Sequence, residues 1–368
     1  MTPAGWAWLV LGVTLACLGY AGWLAARVVR AEGGSEVMRD ILELVHAGAV
    51  AFARSQYSLL IRVSLLTAAV LALLGTVFHT GMGWQLALAY LAGVLVAGSA
   101  GHLGMLIATR ANARTTNLAA ESLRAGFRIA FQAGSVTGLV TIGLGVLGLA
   151  AAWLVLRLPM LVSGMALGVS TFAIFARVGG GIFAKATDVG SELACRLEGG
   201  IPEDDLQNPG VIADEIGDNV SGVTGMGADV VESVVGAAVA AMALGVVVAD
   251  GQVMSPFSLL PLAIGAAGLV GSWGGHLLIR YLPGGGSRRS FRYGNYAAAP
   301  VVLGALFALC AGFLPGPGEG WTKYLGFFWS GAAGWVVGMV AGWFARTNVS
   351  PRRWSARSVV EATTRGPA

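Results

Sequence analysis

Apolar residues come in long runs along this chain, and the charged residues gather in the shorter stretches between them. A helix of about 20 apolar residues is long enough to cross the hydrocarbon core of a bilayer. Nine such runs are present, at about 5–26, 58–79, 84–108, 132–156, 160–184, 219–249, 257–279, 297–315 and 325–345. Polarity does not alternate residue by residue within them, as it would along the strands of a transmembrane barrel. The pattern predicts an all-α fold: a polytopic transmembrane helix bundle of about nine spans, forming a single membrane domain over 1–368. The first run, from Trp6 to Ala26, has no basic segment before it and is stopped by Arg27 and Arg30. It reads as a first span and not as a cleaved signal. In 36–57 and 109–131 apolar residues recur at helical spacing among charges. These stretches predict helical extensions of the spans, each with one solvated face.

Composition agrees with the pattern and adds an orientation. The chain is 56% apolar and 11% charged, against about 25% charged in soluble domains. Its polar residues are too few to clothe a soluble core, and its 56 glycines suit close helix packing in lipid. Of 23 Lys and Arg, only Arg157 and Lys323 fall in the connections 80–83, 157–159, 250–256 and 316–324; 23 less these two leaves 21 on the other side. The positive-inside rule makes that other side cytoplasmic, with the N-terminus outside and the C-terminus inside. The net charge of +4 and pI of 9.2 express this asymmetry and give no reason to invoke nucleic acid. Cys17, Cys195 and Cys310 are far apart, show no disulfide or metal-ligand spacing, and read as small packing residues.

The acidic residues are not spread evenly. Eleven of the 19 Asp and Glu lie between Asp188 and Glu232, offset inside that window only by Arg196. Oxygen-rich anionic clusters attract hard divalent cations. Asp188 and Glu192 stand four apart, as do Asp214 and Asp218, so two helix ends each offer a carboxylate pair across a cytoplasmic acidic segment, 185–218. Glu203 to Asp205 read as the solvated loop between them. Asp229 follows Asp218 by 11 residues, which in a uniform α-helix puts it on the same face about 16 Å deeper. Glu232 lies one turn further on, and both acids fall inside an apolar run, where an ionisable side chain marks a functional site. Lys185, three residues before Asp188, adds a cation beside the metal-facing acids and points to a bound anion such as a phosphate bridged by Mg2+. Arg177, deeper along the same run, calls for a carboxylate partner such as Asp229. By themselves these residues also suit a divalent-cation transporter.

The segments ARVGGGIFAKATDVGSEL, IPEDDLQNP and IADEIGDNVSGVTGMGADV, in this order and spacing, resemble the signature of the membrane-bound, ion-translocating pyrophosphatases. HAGAVAFARSQY, IATRANARTT and ARSVVEATTRGPA extend the similarity, which covers the N-terminal half of that family's architecture. The resemblance implies hydrolysis of Mg2+-bound pyrophosphate in the cytoplasm, coupled to export of H+ or Na+, by a homodimer. It implies Lys185 as the substrate-binding lysine, Asp188, Glu192, Asp218 and Asp214 as the Mg2+-facing acids, and Arg177, Asp229 and Glu232 as ion-transfer residues. Two departures stand out. Gly222 occupies the position where the family has an Asp that orients the attacking water, and glycine can be neither base nor ligand. The family's second acidic and Lys-containing cluster belongs to the half that this similarity does not cover. The expectation is a pump that needs a second polypeptide or a missing extension to complete it; the alternative is a catalytically inactive relative acting as a membrane scaffold or regulatory subunit.

Overall fold

A computed structural model describes residues 3–78, 82–197, 201–202, 205, 207–208, 210–281, 288–313, 320–348, 358 and 361. Glu198, Glu203 and Asp204, read above as part of the acidic segment, lie outside the described residues. The chain divides into two compact units, Met1–Val302 and Leu303–Ala368. Every described element is helical: α1 (Pro3–Arg30), α2 (Glu36–Val77), α3 (Gly83–Glu121), α4 (Leu123–Leu156), α5 (Pro159–Leu197), α6 (Val211–Asn219), a π-helical turn (Val220–Gly225), α7 (Met226–Val248), α8 (Pro256–Tyr281), α9 (Arg288–Phe313) and α10 (Gly320–Asn348). Eight helical stretches are long and apolar enough to cross a membrane, and Ala299–Ala311 in α9 is a shorter apolar helix. The expected bundle and its spans are therefore present.

Several helices outrun their apolar runs. α2 has 42 residues, about 63 Å of helix, roughly twice what a bilayer core requires. The expected extension over 36–57 is the reason, while the expected stretch 109–131 is divided at Ser122 between the end of α3 and the start of α4. Ser35 starts α2 by accepting a hydrogen bond from the Met38 amide at 3.3 Å, and Gly34 before it has φ +83°. Where the extensions of α2 and α3 meet, His46 Nδ1 and Thr109 Oγ1 lie 2.8 Å apart. Arg114 of α3 reaches the end of α1, donating to the carbonyls of Val29 and Ala31 at 2.9 and 3.0 Å. It thereby satisfies acceptors that a helix terminus leaves without partners. The α4–α5 link is two residues long and turns on Arg157, which holds φ +54°.

α3 packs against α2, α4 and α5. Its crossing with α5 is made at backbone distance. A Cβ on Gly168 would stand 1.9 Å from the Tyr90 carbonyl oxygen, and one on Gly93 would stand 2.0 Å from that of Met165. Small residues permit such approach, and dispersion between the backbones holds it. Around the crossing Trp153, Met165, Val169 and Phe172 are buried. In the second unit, Phe307 meets Phe328 edge to face, with centroids 5.6 Å apart.

Gly168→Ala forces this crossing to open, an overpacking cost of about 1–3 kcal/mol. The expected outcome is a lower thermal unfolding midpoint in detergent, while Gly181→Ala, whose added methyl meets nothing within 4 Å, leaves the midpoint close to wild type. Equal midpoints would show that the α3–α5 contact carries no strain.

Candidate functional site

α5 and the continuous helix formed by α6, the π turn and α7 lie side by side. Their seam is tight where the acidic segments begin. A Cβ on Gly217 would stand 2.8 Å from Ala184 Cα. Gly180 faces Val220 and Ser221, and Gly225 faces the backbone of Arg177. The link back to α6 is pinned by Asn208, whose Nδ2 donates to the carbonyl and the hydroxyl of Ser191, each at 3.0 Å. Asp205 Oδ1 accepts from the Gln207 amide.

The seam arranges the polar residues in levels. At the outer level Lys185 Nζ lies 2.5 Å from Asp188 Oδ2. Glu192 and Asp214 also attract the Lys185 ammonium, which brings α6 into the same field. Glu192 itself pairs with Arg196, one turn along α5. Deeper, Arg177 Nη1 meets Asp229 Oδ2 at 2.8 Å, bridging α5 and α7. Deeper again, the Ser170 hydroxyl donates to Glu232 Oε1. Arg177 and Asp229 are 52% and 37% exposed. This ion pair therefore opens onto the side of the bundle. An ion pair facing hydrocarbon is costly, so this face fits a protein or water neighbour better than lipid.

The partnership of Arg177 with Asp229 is as expected from the sequence. Two further observations concern the acids. The α5 carboxylates Asp188 and Glu192 are each engaged by a basic residue of the same helix, and among the described residues no three His, Cys, Asp or Glu side chains stand close enough to hold a metal ion. The donor chemistry of Asp188, Glu192, Asp214 and Asp218 suits Mg2+. The second observation concerns rotation. Met226 closes the π turn by donating to the Ser221 carbonyl, five residues back. Such a turn takes in about one residue more than an α turn and sets the following helix back by about 100°. Asp229 is therefore turned relative to Asp218 from the shared face that uniform α geometry predicts, toward Arg177. Ser170 was not singled out in the sequence. Its signal was a hydroxyl seven residues before Arg177, on the same face of α5.

The profile of the family described as "Inorganic H+ pyrophosphatase" matches residues 15–368. The chain belongs to that family. The inorganic H+ pyrophosphatase assignment makes it an integral, multi-pass membrane protein. A "K(+)-insensitive pyrophosphate-energized proton pump" of Methanosarcina mazei is 35% identical over 88% of this chain and 46% of its own. "Pyrophosphate-energized membrane proton pump 3" of Arabidopsis thaliana is 32% identical over 94% and 47%. A Clostridium tetani relative that carries a sodium-pump name is 36% identical over 95% and 49%. The chain spans about half the length of the curated relatives it matches.

A double-mutant cycle on Arg177→Ala and Asp229→Ala tests the α5–α7 bridge. The pair is half-exposed, so screening limits it, and the expected coupling in unfolding free energy is about 1 kcal/mol. Additive losses from the two single changes would show that the pair does not tie the helices together.

Proposed function

We propose that this chain is the pyrophosphate-facing, ion-handling part of a pyrophosphate-energized H+ or Na+ pump, completed by the remaining length of its relatives, supplied by a second polypeptide or by an extension of the same chain. The observation that carries the reading is the ladder of polar pairs on one face: Lys185 with Asp188, then Arg177 with Asp229, then Ser170 with Glu232. An anion-binding level stands above two levels that can exchange a cation. The relatives matched here are about twice as long, and the ladder lies on a half-exposed face, which a neighbouring chain would cover. In this reading the ladder's upper end and the C-terminus are cytoplasmic, the N-terminus is outside, and the assembly is a homodimer like others of its family.

The chemistry follows from the side chains. Lys185 binds a phosphoryl oxygen of pyrophosphate as a point charge. Asp188, Glu192, Asp214 and Asp218 would hold Mg2+, which supplies charge neutralisation on the phosphoryl oxygens. Water attacks one phosphorus and the bridging P–O bond breaks, giving two phosphates. Arg177 competes with an arriving cation for Asp229, and Ser170 holds Glu232 ready for the next transfer. Breaking and remaking these pairs couples ligand state to ion position.

Gly222 limits the chemistry, since it offers no base. Its added Cβ would meet only Met226 Cε, at 3.8 Å, so the position admits a side chain. Gly222→Asp is expected to raise Mg2+-dependent pyrophosphate hydrolysis, by up to the roughly 10²–10⁴ that a positioned base contributes. The assay is phosphate release from membranes carrying the chain, with and without a polypeptide supplying the remaining length of a relative. Activity is expected only with the added polypeptide, and Lys185→Ala abolishes it. Correctly inserted protein that shows neither hydrolysis nor pyrophosphate binding in either arrangement would sink the pump reading. Gly222 is the observation that favours the second reading, an inactive relative serving as scaffold or regulatory subunit, and that outcome would support it.

A further inference from the structure

Two arginine pairs stand at one end of the bundle, apart from the polar ladder. Arg27 and Arg30 end α1, one turn from each other, and Arg124 and Arg128 open α4 in the same way. All four are exposed, and none forms an ion pair among the described residues. The two helices meet at this height: Val28, beside Arg27, shares a buried cluster with Ile129, beside Arg128. Glu32 and Glu121, the acids nearest in sequence, are exposed and pair with none of the four. Like charges a turn apart repel, so the arrangement favours an anion brought from outside the chain.

A row of rings lies along the same face. Tyr20 of α1 stacks on Trp23 with centroids 5.6 Å apart and meets His276 of α8 at 5.8 Å. His276 stacks on Phe131 of α4 at 5.2 Å, and Phe131 on Phe127 at 6.0 Å. The row therefore crosses from α1 over α8 to α4. At 100° per residue Tyr20, Trp23, Arg27 and Arg30 fall within a stripe of α1 about 80° wide. Arg124, Phe127, Arg128 and Phe131 fall within a stripe of α4 about 100° wide. Tyr20 and Phe131 both reach His276, so the two stripes border α8 and look out on one side of the bundle. The Arg27 guanidinium lies over the Trp23 ring, 4.9 Å from its centroid, a cation–π contact that holds the charge close to the helix. Trp23 itself is 46% exposed. The apolar runs stop at about 26 and 132, which puts the arginines at headgroup depth and the rings at the edge of the hydrocarbon, where aromatic belts form. Charge bias across the membrane accounts for basic residues on this side. It does not account for their alignment with an aromatic shelf or for their lack of partners.

We propose that this face binds an anionic phospholipid, its phosphate held between the arginines of α1 and α4 and its acyl chains lying over the rings. A guanidinium offers a phosphate two parallel hydrogen bonds, and basic clusters at the ends of membrane helices attract acidic headgroups. The site needs only the chain's place in a bilayer and does not rest on the pump reading.

The test is native mass spectrometry of the full chain in detergent, titrated with phosphatidylglycerol or phosphatidylcholine. Phosphatidylglycerol is expected to bind at least tenfold more tightly. Arg27→Gln combined with Arg128→Gln weakens that binding roughly thirtyfold, whereas the paired Arg→Lys changes keep most of it. Arg39→Gln with Arg54→Gln, which removes two exposed arginines of α2, leaves it unchanged. Trp23→Leu keeps every charge and weakens binding severalfold, a readout that does not depend on the arginine variants folding. Equal affinity for the two lipids, or an equal loss in the α2 control, would overturn the site. Displacement of the lipid by excess glycerol 3-phosphate would show a site for soluble phosphate and overturn the lipid assignment. Loss of a dimer in the Gln pair with lipid binding unmoved would give this face to a second copy of the chain and overturn it as well.

Discussion

α3 and α5 cross with their backbones in contact at Gly93 and Gly168, and the positions of the functional side chains follow from that crossing. No side chain fits between the two helices there, since a single carbon on either glycine would overlap a carbonyl oxygen of the other helix. α5 carries Ser170, Arg177, Lys185, Asp188 and Glu192. Fixing its height and rotation against α3 therefore fixes every rung of the ladder on one side at once. The opposite side, α6 to α7, is then located by a second set of glycine contacts, at Gly180, Gly217 and Gly225. In a bilayer, where apolar side chains gain little by leaving lipid for one another, such close packing supplies much of the cohesion between helices.

The polar ladder is the counterweight to that packing. Ionised groups inside an apolar run are unfavourable unless paired, and here each deep acid has a partner on the neighbouring helix. The pairing is incomplete in one respect: the Arg177–Asp229 bridge still opens sideways. A finished structural element would bury or remove it. An element meant to meet another surface, or to exchange partners, has reason to leave it accessible.

Much of this was legible in the sequence because lipid imposes simple rules. Span length follows from bilayer thickness, so all nine apolar runs found helices, with 297–315 matched by a shorter apolar stretch of α9. The extensions of α2 and α3 were legible from helical spacing that continued past the apolar residues. Arg177 and Asp229 were legible as partners because each was a charge without a local counterion. What escaped depended on geometry that periodicity averages away. The π turn carries no residue signature in VSGVTG that distinguishes it from α-helix. The rotation of Asp229 away from Asp218 could not be read without it. Ser170 is one hydroxyl among many, and only the nearness of Glu232 sets it apart. Lys185 was expected beside Asp188 from their spacing, whereas the pairing of Glu192 with Arg196 depends on side-chain conformations that spacing does not determine.

The π turn between α6 and α7 has a consequence for how this segment tolerates change in length. In an ordinary helix a one-residue deletion shortens the element and rotates whatever follows. Within 220–225 the same deletion would convert the wide turn into a regular one. The chain would lose a residue and keep its hydrogen-bonded ladder, and everything from Asp229 onward would keep its present bearing. The six residues thus act as a length buffer, able to give up one residue without turning the compass direction in which the deep acids point.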